Sequence, residues 1–298
     1  MADSTHENRA LGPILAIVAS VAALSLGDAV IKATGLSLPL WQMYVLRSAL
    51  VLPLLWWLAR RQGPVKLFAP LWILVRCTLL VIMWLSYYAS LPQMPLSLAA
   101  AAYYTGPLFI IALSAGVAQR WPARRAILAI TCGFVGVLMI IRPENSNFEI
   151  ATLFPVIAAF LYACAMVLTS AKCSKDSPFV LALALNVAFI VTGVLLGLFS
   201  GYKESLILGP WQPLDLALFG TIAILAVLIL IGSVGAAYAY QKGQPTTVAT
   251  FDYSYLMFSL LWGALFFNEL PGTISLIGIF VIAWAGFLAL PSKVCGKK

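Results

Sequence analysis

Long apolar stretches, separated by short clusters of charged residues, Pro and Gly, recur along the whole chain. A helix that crosses the hydrocarbon core of a membrane needs about 20 such residues. The stretches are apolar on all sides, whereas the strands of a transmembrane β-barrel alternate apolar and polar residues. The pattern therefore predicts an all-α membrane protein with ten transmembrane helices, at residues 12–33, 39–59, 69–90, 96–118, 126–141, 150–171, 179–199, 216–239, 246–267 and 272–290.

The amino-acid composition supports this class. Of the 298 residues, 62% are hydrophobic and 9% are charged, whereas soluble domains carry about 25% charged residues. An ordinary soluble globular protein is thereby excluded, and ten spans leave no room for a separate soluble catalytic domain. The first segment is longer than the roughly 7–15 apolar residues of a cleaved signal peptide, so we expect it to be retained.

Basic residues are distributed unevenly between the two sides of the predicted bundle. The chain has 18 Lys and Arg, of which Lys32, Arg47 and Arg76 lie inside predicted spans. Of the others, 13 fall on the side that holds both termini and two, Arg142 and Lys203, on the opposite side. Because basic loops stay in the cytoplasm, we expect a bacterial-type inner membrane protein with both termini cytoplasmic. The net charge of +8 then reflects orientation rather than a nucleic-acid partner.

The two halves of the chain resemble each other weakly. At a shift of 150 residues Tyr103 falls on Tyr253, and at a shift of 139 nearer the start Arg47 falls on Asn186. Each half would hold five helices, and because five is odd the second half would insert upside down. Inverted repeats of this kind are typical of secondary transporters with a site near the membrane midplane. The alternative is a multi-span protein with accidental similarity. The predicted boundaries are 1–143 and 144–298.

Two segments of the first half resemble an EamA-type repeat. Residues 25–55 are similar to its opening, in which a Lys, here Lys32, ends the first helix and a Pro is followed by an Arg, here Arg47, in the second. Residues 97–122 are similar to its fourth helix, with small residues, a central Pro107 and a polar exit.

The second half repeats the pattern with departures. Residues 246–286 are similar to the late part of an EamA-type repeat, and Asn268 and Glu269 resemble the exit motif in which Glu closes the helix. The first half has Gln119 and Arg120 at that place, and the second half lacks the central Pro.

The resemblance covers nearly the whole chain and implies the drug/metabolite transporter (DMT) superfamily, with ten helices in an inverted five-plus-five arrangement around a central cavity. Members of the superfamily export amino acids and other metabolites, and a YddG-like exporter of aromatic amino acids is one such member. Others import nucleoside-like or vitamin compounds. The resemblance therefore implies export of aromatic or other neutral amino acids, with import of riboflavin or S-adenosylmethionine as the alternative. The expected partners are a small-molecule solute and the lipid bilayer.

Five ionisable residues lie inside the predicted spans, where each needs a partner or water. Depth along the helices puts Asp28, Lys32 and Arg47 together in the outer half, and puts Arg76 and Asp252 each about 10 Å from the cytoplasmic end. We therefore expect an outer cluster and an inner Arg76–Asp252 pair, acting as gates or as partners of a charged solute. The structural alternative is a set of pairs tolerated on insertion, with Lys32 reaching to the surface. Proton coupling through Asp28 or Asp252 is a further hypothesis, because a buried carboxylate can take up a proton near neutral pH.

Aromatic side chains concentrate on the third, fourth, eighth and ninth predicted helices. Tyr and Trp usually form interfacial belts, but Tyr103 and Tyr253 lie well inside their spans. A buried Tyr offers a hydroxyl for hydrogen bonding and a ring for stacking, which suits an amphipathic solute. The expected pathway residues are Trp84, Tyr87, Tyr88, Tyr103, Tyr104, Tyr238, Tyr253 and Tyr255, with Tyr162 and Asn186 as weaker candidates.

The sequence carries no signature of an enzyme. The single histidine, His6, lies in the polar leader, so the spans hold neither a Ser–His pair nor a His-ligated zinc site. The GxSxG, HExxH and glycine-rich phosphate motifs do not occur, and the five cysteines include no CxxC. An aspartyl dyad of Asp28 and Asp252 is disfavoured because their depths put them in opposite halves. We expect no catalysis, no cofactor and no metal.

Overall fold

The computed structural model describes residues 3–33, 38–90, 102–119, 121–141, 153–201, 206–268 and 272–289. Within these ranges the regular structure is helical and contains no strand. Its helices occur where the hydrophobic pattern predicts them, except that α1 begins in the polar leader, at Asp3, before the predicted start at residue 12. They are α1 (Asp3–Ala33), α2 (Leu40–Arg61), α3 (Pro70–Ser90), α4 (Gly106–Ala118), α5 (Arg124–Ile141), α6 (Leu153–Lys172), α7 (Pro178–Gly197), α8 (Leu216–Lys242), α9 (Pro245–Asp252), α10 (Ser254–Phe267) and α11 (Thr273–Ala289).

Six of the described helices are long and apolar enough to cross a membrane. They are α2, α3, α6, α7, α8 and the Leu11–Ile31 part of α1, while α4 and the Leu276–Leu288 part of α11 are apolar but shorter. Large hydrophobic side chains such as Leu15, Leu216 and Phe280 are exposed on these helices, as contact with lipid requires. The protein is a multi-pass membrane protein, and its ten crossings stay a prediction.

The predicted ninth helix, residues 246–267, is interrupted in its middle. α9 ends at Asp252, and α10 begins at Ser254 after a single turn residue, Tyr253. Ser254 Oγ donates a 2.7 Å hydrogen bond to the Phe251 carbonyl. This bond satisfies a carbonyl at the interruption, so the break costs little in an apolar surrounding.

A similar interruption precedes α4. Tyr104 and Thr105 form a turn, and Thr105 Oγ1 donates a 2.7 Å hydrogen bond to the Ala102 carbonyl. Pro107 contributes to the break because it has no N–H for the carbonyl four residues earlier. Both interruptions adjoin the tyrosines, Tyr103 and Tyr253, that the 150-residue shift superposes.

Helices of the two halves pack against each other in corresponding pairs. α1 packs along α8 and α3 packs along α6, while α2 packs on α7 and α5 on α11. In a five-plus-five repeat, α1, α2, α3 and α5 correspond to α6, α7, α8 and α11, and α4 corresponds to α9 and α10 together. Exchanging the halves then converts the α1–α8 contact into the α3–α6 contact. The same exchange leaves the α2–α7 and α5–α11 contacts unchanged. Two related halves would produce such a pattern of contacts, and the inverted repeat with its division at residue 143 stays a prediction.

Small residues allow α1 and α8 to approach closely. A Cβ at Gly235 would lie 2.9 Å from the Ala16 carbonyl oxygen, and a Cβ at Gly232 would lie 2.7 Å from the Leu24 side chain. Ser20 Oγ donates to the Gly232 carbonyl at 2.6 Å. The close approach is the packing role that small-residue faces commonly have in membranes.

The two ends of α2 contact loops of the second half. At its start, the Gln42 amide donates to the Gln212 carbonyl at 2.7 Å and accepts from the Gln212 N–H at 2.9 Å. Beyond its end, the Phe68 N–H donates to Asp176 Oδ1 at 2.7 Å, and Gln241 Nε2 donates to the Asp176 carbonyl at 2.8 Å. Loops at both ends of the bundle are therefore tied across the two halves.

Candidate solute-binding site

A cavity of about 110 Å³ lies between α1, α3, α6, α8 and the two interrupted helices. Both halves of the chain line it. Its wall is mostly apolar, and it carries three ionisable side chains and a group of aromatic rings. These are Asp28, Arg76 and Asp252, with Trp84, Tyr87, Tyr103, Tyr104, Tyr162 and Tyr255.

Asp252 lies at the last position of α9, where the interruption turns it towards the cavity. Its Oδ2 accepts hydrogen bonds from the Tyr162 hydroxyl at 2.7 Å and the Tyr240 hydroxyl at 3.1 Å. The side chain is 9% exposed. Two hydroxyl donors from α6 and α8 thus replace the water that an acid buried in a membrane lacks.

Asp28, on α1 in the first half of the chain, is also held by a tyrosine hydroxyl. Its Oδ2 accepts a hydrogen bond from the Tyr255 hydroxyl, on the first turn of α10. One turn earlier on α1, Ser25 Oγ accepts from Trp262 Nε1 at 3.0 Å. These two bonds join α1 to α10 beside the cavity.

Arg76 lies on α3 with its side chain almost fully buried, at 1% exposure. Its Nε donates to Thr169 Oγ1 at 2.7 Å, and Thr169 Oγ1 donates to the Ala165 carbonyl at 2.7 Å. The expected Arg76–Asp252 ion pair is not formed among the described residues, because Asp252 is bonded to tyrosines. Both charges nevertheless line the same cavity.

The cavity tyrosines form a continuous group of rings. The ring centroids of Tyr87 and Tyr103 are 5.2 Å apart, those of Tyr103 and Tyr104 5.8 Å, and those of Tyr103 and Tyr162 6.0 Å. Tyr104 also lies 5.6 Å from Tyr255. These separations are in the range of favourable aromatic contacts, so the rings support each other as one wall of the site.

Three of the predicted pathway aromatics do not line this cavity. Tyr88 is buried and stacks on Trp84 with ring centroids 5.4 Å apart. Tyr253 is fully buried behind Tyr104, 6.2 Å from its ring. Tyr238 is 37% exposed and lines a different groove, at the end of α8, together with Lys242. The structure therefore brings five of the eight predicted aromatics to the cavity.

The predicted outer cluster is only partly assembled. Arg47 lies over the rings of Tyr44 and Phe189, 5.7 and 5.2 Å from their centroids, and does not line the cavity. It is close enough to Asp28 for their charges to attract, but the two form no ion pair in the described structure. The Lys32 side chain lies outside the described residues. Depth along the helices predicts that Asp28, Lys32 and Arg47 lie at a similar level in the membrane. It does not fix the direction in which each side chain points.

The two acids expected in opposite halves of the membrane, Asp28 and Asp252, both line this cavity. Each is committed to tyrosine hydroxyls, and no contact joins the two in the described ranges.

Other polar side chains of the site carried weak sequence signals. Tyr162 was a secondary candidate, and Tyr240 and Thr169 were not singled out as site residues. Tyr240 is fully buried, contacts the ring of Tyr162 and donates to Asp252. The sequence signal for Tyr240 and Thr169 is a hydroxyl inside an otherwise apolar run. Such a hydroxyl requires a hydrogen-bond partner when it is buried.

Among the described residues, no cluster of metal ligands accompanies the site. Within the described ranges, no three His, Cys, Asp or Glu side chains come together as a metal site would require. The described cysteines Cys77, Cys132, Cys164 and Cys173 are free thiols. The described residues of the cavity wall offer hydrogen bonding, charge pairing and aromatic stacking.

Known transporters are similar to this chain over most of its length. The pseudopaline exporter CntI of Pseudomonas aeruginosa is 24% identical over 278 residues, which are 92% of this chain and 94% of the exporter. The riboflavin transporter of Vibrio cholerae is 28% identical over 234 residues, 76% of this chain and 74% of that protein. An uncharacterized transporter of Archaeoglobus fulgidus is 25% identical over 211 residues, 69% of this chain and 70% of that protein.

A solved crystal structure shares the fold. It has a TM-score of 0.78 and 14% sequence identity, and the match covers 95% of this chain and 96% of the other. No family model matches the chain. The named relatives are transporters and not enzymes. They support movement of a small-molecule solute across a membrane as the function of this multi-pass protein.

Proposed function

We propose that this chain is a secondary transporter of the drug/metabolite transporter superfamily, of EamA type, that exports amino acids by alternating access. The observation that carries the proposal is the cavity between the two halves, where Asp28, Asp252 and Arg76 meet a wall of tyrosines. Aromatic and other neutral amino acids are the leading substrates. The YddG-like subgroup and the pathway roles of the lining residues belong to this proposal.

The interrupted helices support alternating access. In secondary transporters with inverted repeats, discontinuous helices flank a site near the membrane midplane. Here the interruptions at Thr105 and Tyr253 adjoin the cavity and lie close to repeat-related positions. Rocking of the two halves would open such a cavity to one side at a time.

The chemistry of the cavity supports an amino acid. Side chains of both charge signs and several ring faces match a zwitterion that carries an apolar or aromatic group. The volume of about 110 Å³ is small beside the roughly 300–1,000 Å³ of pockets for drug-sized ligands. Export as the direction is supported by the similarity to the pseudopaline exporter.

Riboflavin import is a second candidate function. The relative from Vibrio cholerae is named as a riboflavin transporter, and so is a relative from Brucella anthropi, 24% identical over 195 residues. The tyrosine wall would also suit a stacked ring system. The cavity would have to widen to admit such a solute. Import of S-adenosylmethionine rests on the sequence resemblance alone.

The proposed location is the inner membrane of a bacterial-type cell with both termini in the cytoplasm. The 13-to-2 distribution of Lys and Arg supports this orientation. Arg142 and Lys203, the two basic residues of the opposite side, lie outside the described residues, as do Arg120 and Glu269 of the exit motifs.

Counterflow in proteoliposomes tests the proposal directly. Vesicles are preloaded with an unlabelled solute and offered the same solute in labelled form. Amino acids, riboflavin and S-adenosylmethionine are tested in turn. We expect accumulation of aromatic or other neutral amino acids, and uptake of riboflavin alone would favour the second candidate. No accumulation of any of these solutes would contradict both candidates.

A tyrosine pair provides the matched variants for this assay. Tyr162→Phe removes a hydroxyl bonded to Asp252, a loss of about 1.5–3 kcal/mol for a bond to a charged group. It should lower the counterflow rate about tenfold or more. Tyr238→Phe, outside the cavity, should leave the rate unchanged. Equal rates for both variants would argue against this cavity as the pathway.

A further inference from the structure

Part of the Arg76 guanidinium is left free. Nε donates to Thr169 Oγ1, but Nη1 is buried and has no hydrogen-bond partner in the described structure. The Thr169 hydroxyl donates its own hydrogen to the Ala165 carbonyl, so its oxygen accepts the hydrogen bond from Nε. Thr169 thereby orients Arg76 in the cavity wall, and the N–H donors of Nη1 stay unpaired among the described residues.

The charge of Arg76 also lacks a counterion in the described parts of the chain. Asp252 accepts from Tyr162 and Tyr240, and Asp28 accepts from Tyr255. A buried charge without a partner is strongly unfavourable, and buried polar atoms are rarely left unpaired. An unpaired donor on a buried cation that lines a cavity is what a binding site for an anionic group requires.

We propose that Arg76 binds the carboxylate of the transported solute, while Asp252, held by Tyr162 and Tyr240, binds its ammonium group. This assignment rests on the proposed function and deepens it, because it names the two groups that select a zwitterion. A guanidinium suits a carboxylate because its planar donors match both oxygens. Thr169 is then a positioning residue.

The solute's side chain would lie against the tyrosine wall. Tyr103 contacts the rings of both Tyr87 and Tyr162 and lines the same cavity as Arg76 and Asp252. An aromatic or aliphatic group there would be stacked or buried. The three contacts together select amphipathic amino acids over solutes with only one charged group.

Binding of three related probes to the purified full chain in nanodiscs tests the assignment by calorimetry. The probes are L-phenylalanine, L-phenylalaninamide, which lacks the carboxylate, and 3-phenylpropionate, which lacks the ammonium group. Arg76→Gln should weaken phenylalanine and phenylpropionate about 10- to 100-fold and leave the amide nearly unchanged. Asp252→Asn should weaken phenylalanine and the amide and leave phenylpropionate nearly unchanged.

Two further variants guard against a folding defect. Thr169→Val keeps the guanidinium but removes its Nε acceptor, and it should weaken only the two carboxylate probes, by a smaller factor. Arg125→Gln removes an exposed arginine at the start of α5 and should change nothing. A well-folded Arg76→Lys variant should show an intermediate loss, because it keeps the charge without the planar donors.

The outcomes separate this assignment from the proposed function. Equal losses for all three probes in Arg76→Gln and Thr169→Val would overturn the role of Arg76, even if amino acids accumulate in counterflow. Failure of the wild type to bind any probe would also overturn it. The proposed function itself fails only if amino acids do not accumulate in the counterflow assay.

Discussion

At the scale of single residues, the ring of Tyr253 depends on the absence of a side chain at Gly133. A Cβ at Gly133 would lie 2.4 Å from Cδ2 of that ring, and the ring is fully buried behind Tyr104. Gly133→Ala would displace the ring, and overpacking of this kind costs about 1–3 kcal/mol. We expect a lower thermal midpoint in detergent and slower transport, because Tyr104 lines the cavity.

Gly220→Ala is the matched control for this substitution. Gly220 also lies in a helix, α8, and a Cβ there would meet no atom within 4 Å. The added methyl group should therefore be neutral or stabilise by up to about 1 kcal/mol. Equal thermal midpoints for the two variants would contradict the packing of Tyr253 against Gly133.

Individual residues also show what the sequence can and cannot reveal about the site. The cost of burying charge in a membrane was enough to single out Asp28, Arg76 and Asp252. Their hydrogen-bond partners could not be read from the sequence, because height along a helix says nothing about rotation or about neighbouring helices. For this reason depth could not fix the partner of Asp252, which accepts hydrogen bonds from Tyr162 and Tyr240 in the described structure. Both Arg76 and Asp252 line the cavity.

At the scale of elements, the first turn of α2 is fastened to the loop before α8. Gln42 is fully buried and makes two hydrogen bonds to the Gln212 backbone, and Trp41 Nε1 donates to the Gly209 carbonyl at 2.9 Å. Gln42→Ala would remove the partner of the part-buried N–H and carbonyl of Gln212. We expect a loss of about 1–3 kcal/mol in stability, measured as a lower midpoint of thermal unfolding.

The opposite end of α2 supplies the control for Gln42→Ala. Gln62 is exposed and accepts one hydrogen bond, from Ser177 Oγ at 2.8 Å. Gln62→Ala should change stability by no more than about 0.5 kcal/mol, as is usual at exposed positions. Comparable losses for both variants would show that the buried amide does not fasten the loop.

The helices themselves were largely predictable, because all-round apolar runs leave few alternatives in a membrane. The interruption of the ninth span at Tyr253 was not, since residues 246–267 contain no internal Pro or charge cluster at that point. Its cause is a tertiary arrangement in which Asp252 turns to Tyr162 and Tyr240. Such breaks follow from packing and from the site rather than from local propensity.

At the scale of the whole molecule, the inverted repeat predicts that corresponding loops face opposite sides of the membrane. The α2–α3 loop, with Gln62, corresponds to the α7–α8 loop, with Leu214. Gln62 follows α2, whereas the backbone of Gln212, near Leu214, is bonded to Gln42 at the start of α2. Twenty residues of helix separate Gln42 from Gln62, about 30 Å, so the two loops lie at opposite ends of the bundle.

Cysteine labelling in intact bacterial cells measures this topology. Gln62→Cys and Leu214→Cys are introduced separately into a transport-competent background without the five native cysteines. Leu214 is 46% exposed and should react with a membrane-impermeant maleimide in intact cells. Gln62→Cys should react only after permeabilisation, because the basic side that holds it is expected to face the cytoplasm. Labelling of both from the same side would contradict the inverted repeat, whereas the reverse pattern would keep the repeat and overturn the cytoplasmic termini.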